Sequence, residues 1–123
     1  MKYGVLIFLL SSSAFMSHAL AVPESTVSHR PGDFIKSIEG DPSAGKKVYE
    51  EFCASCHAVD PSIAVGAPRF RVTQEWKPFM HQDFNLMMRW VDEGIGAMPP
   101  RGGCFECSDQ NLKDAVVYML PQK

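Results

Sequence analysis

Cys53-Ala54-Ser55-Cys56-His57 decides how the rest of this chain is read. Two thiols three positions apart, followed at once by an imidazole, form the attachment pattern of a c-type haem. The spacing has a chemical reason. Each cysteine can add to one vinyl group of a porphyrin and become a thioether, and His57 then lies beneath the iron with a ring nitrogen to donate. The pattern predicts one covalently attached haem c per chain. Two other readings use the same residues. A thioredoxin-like dithiol normally follows a strand and opens a helix in a βαβ setting, whereas this motif closes a helical pattern. A zinc site would have to draw on Cys104 and Cys107 as well.

Working outward, the segment before the motif is helical. Asp41 is a good N-cap and Pro42 fits the first helical position. Gly45, Val48, Tyr49 and Phe52 then recur at i, i+3, i+4 and i+7, which is one helical face. After the motif, Asp60-Pro61 and Gly66-Ala67-Pro68 mark a loop. Thr73 is placed to cap a short helix holding Trp76 and Phe79, with Pro78 limiting its form. Asp83 is the next cap, ahead of Phe84, Met87, Met88 and Val91 at helical spacing, and Gly94 is a stop. Asp92 and Glu93 have the wrong sign for that helix's C-terminus, at small cost if solvated. Gly94 to Cys107 is too rich in glycine and proline for regular structure. Ser108 caps a last helix whose apolar face is Leu112, Ala115, Val116 and Met119. No strand pattern follows residue 21. The expected fold is all-α, three to four short helices and long loops around one covalently bound haem. Long loops are unusual in a compact helical domain, and a flat ligand that helices alone cannot enclose accounts for them.

The start of the 123-residue chain reads as a secretory signal, residues 1–21, with Lys2, the apolar run Val5 to Leu10 and the cleavage pattern Ala19-Leu20-Ala21. An uncleaved membrane anchor is the alternative, but a span needs about 20 apolar residues and Ser11-Ser12-Ser13 breaks this run. Residues 22–40 read as an extended leader in which Phe34, Ile35 and Ile38 could pack as a short turn. Residues 41–121 are the haem domain. The signal places haem attachment in the periplasm, which is oxidising enough for disulfides. Without residues 1–21 the 12 basic and 14 acidic residues become 11 and 14, so the formal charge moves from −2 to −3. With no basic run, nucleic-acid binding has no electrostatic support. About 100 mature residues bury a marginal core alone, so the chain without haem is expected to be poorly folded.

The sixth ligand of the iron is sought among His29, His81, Met80, Met87, Met88, Met98 and Met119. Met87, Met88 and Met119 sit on helical apolar faces, where methionine usually fills core. Met98 lies in an irregular loop, after Gly94 and Gly96 and before Pro99-Pro100. Glycines permit close backbone approach and prolines stiffen the chain that holds the sulfur. His57 and Met98 are therefore the expected axial pair. Histidine plus methionine leaves no vacancy for substrate and raises the reduction potential, which favours electron transfer over catalysis. A carbonyl accepting the free ring N–H of His57 is the usual device that orients it. Cys104-Phe105-Glu106-Cys107 cannot be a second haem site of the usual kind, because Ser108 stands where the histidine belongs. In the oxidising compartment the pair is expected as a disulfide, and a functional dithiol is the alternative.

These residues resemble a class I cytochrome c over 41 to about 120. Gly45-Lys46-Lys47-Val48-Tyr49 resembles that family's first helix, whose glycine and aromatic pack against an aromatic of the last helix, here Tyr118. Gly66-Ala67-Pro68 resembles the loop whose proline carbonyl accepts from the proximal histidine, a role the resemblance gives to Pro68. Gly96-Ala97-Met98-Pro99-Pro100-Arg101-Gly102-Gly103 resembles the axial-methionine loop. The run on to Cys104, Cys107 and Ser108 is similar to bacterial cytochrome c5, a subgroup with a disulfide after that loop.

The resemblance implies a periplasmic monohaem carrier in a respiratory chain, not an enzyme. Its partners would be redox protein donors and acceptors, among them a membrane quinol-oxidising complex and a terminal oxidase. A monomer or weak dimer is expected. A small haem peroxidase or gas-binding protein with a labile sixth site is the competing reading, with His81 as its distal base. A thiol redox protein acting through Cys104 and Cys107 is the third.

Overall fold

The computed structural model describes residues 30–122, and the regular elements of these residues are helices joined by loops. The helices are α1 (Pro31–Ile38), α2 (Ala44–Val48), α3 (Ala54–His57), α4 (Thr73–Met80), α5 (Phe84–Glu93) and α6 (Asp109–Met119). A π-helical turn, Tyr49–Cys53, joins α2 to α3, so the three segments form one continuous helix. Among the described residues there is no strand, only an isolated bridge between Ile95 and Met98. The signal segment lies outside the described residues. No described helix is long and apolar enough to cross a membrane.

The haem-motif helix starts at a polar corner. The Asp41 carboxylate accepts from the Ser43 N–H and hydroxyl, each at 2.7 Å, and from Lys47 Nζ at 2.6 Å. Pro42 and Ser43 make a turn, and regular helix begins at Ala44 rather than at Pro42. Thr73 is likewise the first residue of α4 and not its cap. Asp83 and Ser108 cap as their sequence context predicts. Asp83 accepts from Asn85 N–H, and Ser108 forms a reciprocal capping box with Asn111. Gly94 ends α5 at φ +81°.

The leader needs correction. Residues 31–38 are not extended but form α1, which makes five helices among the described residues, counting α2 to α3 as one and setting aside the short 3₁₀ turn Pro100–Gly103, where three to four were expected. The apolar triplet explains it. Ile38 is fully buried, Phe34 and Ile35 pack on the core, and Phe34 meets Phe52 edge-on at 5.4 Å. Burial of those three side chains stabilises a helix that composition alone would not support.

The core forms where α2 crosses α6. A Cβ on Gly45 would lie 2.6 Å from the backbone C and O of Asp114, so only glycine lets the two helices approach this closely. One turn on, Tyr49 packs between Phe70 at 4.9 Å and Tyr118 at 5.5 Å. Arg71 closes the end of α6. Its N–H donates to the Met119 carbonyl at 3.0 Å, and its guanidinium lies over Phe70 and Tyr118 and donates to the Tyr118 carbonyl.

Two outcomes test this packing. Gly45→Ala should lower stability by about 1–3 kcal/mol through overpacking, read from chemical denaturation of the holoprotein. An unchanged midpoint would mean that the crossing can spread at no cost. The second concerns acid. The Lys47 ammonium, with Ser43, holds the Asp41 carboxyl well below the usual carboxylate range. Its stabilisation is complete above the unfolded value near 4 and is lost as the pH falls below it. Wild type and Asp41→Asn should therefore differ near neutrality and converge in strong acid.

Candidate functional site

A cavity of about 560 Å³ opens between the haem-motif helix, α4, α5, α6 and the loop after α5. Its lining is mostly apolar, and its size falls within the range of about 300–1,000 Å³ usual for cofactor sites. Cys53, Cys56 and His57 line it, as do Met98 and Pro68. The predicted site residues are thus brought together from three separate stretches of chain.

Both motif thiols are unpaired and half-buried. Burial pushes the Cys53 thiol up to about 11, with Cys56 adding in the same direction. The two sulfurs sit within one turn of helix, so each can reach a different edge of one flat ligand. His57 is buried, and its Nδ1 lies 2.8 Å from the Pro68 carbonyl oxygen. A carbonyl only accepts, so Nδ1 carries the proton, and in the neutral imidazole Nε2 keeps its lone pair. That is the tautomer a haem iron requires. Further contacts fix the ring and the main chain of His57. Trp76 stacks on the imidazole with centroids 5.9 Å apart and planes 20° apart. The His57 carbonyl accepts from the Phe70 N–H at 2.6 Å, and the Tyr49 hydroxyl lies 3.5 Å from it.

The Pro68 segment is itself held. Trp76 Nε1–H donates to the Arg69 carbonyl at 2.7 Å. Glu75 accepts from the Arg69 N–H and Nε at 2.8 Å each, and pairs with the same guanidinium through Nη2. This pairing lowers the Glu75 carboxyl and raises the Arg69 guanidinium.

Met98 sits in a tight return of chain. Its N–H donates to Ile95 O at 2.9 Å and its carbonyl accepts from Ile95 N–H at 3.2 Å. Gly94 makes that return possible, since a Cβ there would lie 2.7 Å from the Met98 carbonyl oxygen. A Cβ on Gly102 would stand 3.9 Å from the Met98 methyl and 4.0 Å from Cys53 Sγ, so this glycine leaves space beside both groups. Met87 and Met119 also line the cavity, but from the buried faces of α5 and α6. Met88 packs against the core outside the cavity lining, and Met80 and His81 are exposed away from it. His29 lies outside the described residues.

Cys104 and Cys107 are joined by an S–S bond and are buried beside the site, not in it. Among the described residues, no group of three or more His, Cys, Asp or Glu side chains is placed to hold a metal ion directly. Among these residues the four-cysteine zinc alternative therefore has no site, and they contain no strand to supply the thioredoxin setting. The residues present fit a haem: two free thiols and a correctly tautomerised imidazole on one helix, a thioether in a shaped loop, and apolar walls.

Two participants carry no functional mark in the sequence. Trp76 shows there only as a helix residue, although its position shortly after Gly66-Ala67-Pro68 places an N–H donor within reach of that loop. Arg101 shows only as part of the methionine loop, and it lines the cavity.

Comparison with known proteins identifies what the chain is similar to. Residues 40–119 match the family model described as cytochrome C oxidase, cbb3-type, subunit III. The chain is 33% identical over 86 residues to cytochrome c-555 of Chlorobaculum tepidum, covering 67% of this chain and 77% of that protein. It is 31% identical over 85 residues to cytochrome c5 of Ectopseudomonas mendocina, covering 68% and 94%. Among solved structures it is similar to a chain from the crystal structure of an electron transfer complex of nitrite reductase with cytochrome c. The TM-score there is 0.56 at 40% identity, over 64% of this chain and 91% of that one.

The role of Trp76 is testable. Trp76→Phe keeps a ring against His57 but leaves the Arg69 carbonyl without its donor, and should cost about 1 kcal/mol of stability. Trp76→Ala also removes the packing and should cost about 3–5 kcal/mol. Thermal or denaturant unfolding of the holoprotein measures both, and a Trp76→Phe protein as stable as wild type would show that the indole N–H contributes nothing.

Proposed function

The chain belongs to the class I cytochrome c family, and on that footing we propose that it is a periplasmic monohaem carrier of single electrons in a respiratory chain, with His57 and Met98 as axial ligands. Haem c is covalently attached through Cys53 and Cys56, the two thiols of the attachment pattern. When bound, the haem supplies a one-electron ferric–ferrous couple.

The observation that carries the ligand assignment is that His57, with Nε2 left free by its bond to Pro68, and the loop residue Met98 line one cavity. Pro68 and Trp76 keep the imidazole from turning, so the ligand needs little rearrangement between redox states. The Ile95 return and Gly94 set the path of the chain that carries the thioether. Apolar walls exclude water and disfavour charge, which together with a thioether ligand supports a raised potential. Among the cavity-lining residues, Ile63, Val65 and Ile95 are about half exposed, so the site reaches the surface through an apolar opening. Such an opening suits brief contacts with redox proteins. A membrane quinol-oxidising complex and a terminal oxidase are the donor and acceptor proposed. Residues 1–21 support periplasmic export, and a monomer or weak dimer is the proposed state.

The reduced holoprotein should show one methionine methyl strongly shifted by the haem ring current in its NMR spectrum, and should bind carbon monoxide slowly. Met98→Ala should abolish that signal, lower the potential and bind carbon monoxide rapidly. Rapid binding by the wild type would instead favour a gas-binding or peroxidase function.

A further inference from the structure

Arg101 is one of two described non-glycine residues in the left-handed backbone region, at φ +57°, ψ +20°. An arginine there is strained by its Cβ, and glycine would not be. What arginine adds is its side chain. Nη1 donates to Asp92 on α5 at 2.5 Å. Nη2 donates to the Cys107 carbonyl at 2.7 Å and lies 3.1 Å from Asp109 Oδ1 at the start of α6. One planar guanidinium thus joins the end of α5 to the Cys107–Asp109 stretch that starts α6. It also accounts for Asp92, an acid with the wrong sign for the end of its helix: that carboxylate has a partner.

The consequence falls on Met98. Before the methionine, the chain is fixed by the paired hydrogen bonds to Ile95. After it come Pro99 and Pro100, whose rings fix φ, and the Gly102 N–H to Pro99 carbonyl bond at 3.0 Å. Arg101 is the anchor at the far end of that stiff stretch. Its side chain is only 21% exposed, so its hydrogen bonds are partly protected from solvent competition. The Asp92 and Asp109 carboxylates are largely exposed. The protected contact is the carbonyl of Cys107, whose position the disulfide to Cys104 restricts.

We propose that Arg101 is a positioning residue for the sixth ligand. It ties the stiff chain after Met98 to α5, to the disulfide loop and to α6, and so keeps the thioether from leaving the cavity. This rests on the assignment of Met98 as ligand. Planarity and a forked donor set are what the three acceptors require, and a lysine ammonium cannot reproduce them.

The test compares holoprotein wild type with Arg101→Lys, Arg101→Gly and Asp92→Asn. Carbon monoxide binding to the ferrous protein and the ring-current-shifted methionine methyl are read for each. Arg101→Gly should bind carbon monoxide about tenfold faster than wild type, although it relieves the backbone strain; tenfold corresponds to about 1.4 kcal/mol of lost restraint. Arg101→Lys should fall between them, and Asp92→Asn should give a smaller increase. The methyl signal should broaden in the same order. If Arg101→Gly or Arg101→Lys folds with wild-type binding kinetics and a sharp signal, the proposal is wrong while the ligand assignment stands. A wild type with no shifted methyl overturns the ligand assignment, and this proposal with it.

Discussion

The imidazole of His57 has to present one nitrogen, in one tautomer, in one direction, and much of the molecule serves that requirement. The chain meets it by tying one short segment to His57 from two sides: Pro68 O takes the ring N–H, and Phe70 N–H takes the main-chain carbonyl. That segment then needs its own support, which Trp76 and Glu75 supply through Arg69. Two turns of α4 are thereby committed to holding a loop. The helix carrying the motif needs a backing as well, and α6 provides it at the Gly45 crossing.

The loop after α5 works by a different means. No single hydrogen bond orients the Met98 side chain. Instead the main chain is folded back on itself by Gly94, stiffened by Pro99 and Pro100, and anchored by Arg101. A thioether is a weak acceptor that makes no strong orienting bond of its own, so its position has to be set by backbone shape. The imidazole is steered by polar partners, the thioether by the path of the chain.

Much of this was legible in the sequence because the deciding features are local. Cys53, Cys56 and His57 lie within one turn, and the caps Asp83 and Ser108 act on N–H groups a few residues away. The Gly96 to Gly103 run shows its irregularity in composition alone. The features that were not legible depend on residues distant in the chain. Helix α1 forms because Phe34 and Ile38 find apolar partners that a sequence window cannot show. The π turn at Tyr49–Cys53 has no compositional mark distinguishing it from ordinary helix. Arg101 reads as a surface cation until Asp92, Cys107 and Asp109 are brought around it. Helix starts moved by a residue or two where a turn, as at Pro42-Ser43, satisfied the first N–H groups in place of regular helix.

The central claim is that nitrogen from His57 and sulfur from Met98 complete the coordination of one iron. Iron-edge X-ray absorption on the intact holoprotein, oxidised and reduced, addresses it directly. The account predicts one sulfur among the iron's nearest neighbours in both states, with the remaining neighbours light atoms and little change in distance between states. A first shell of light atoms alone, in either state, would contradict it.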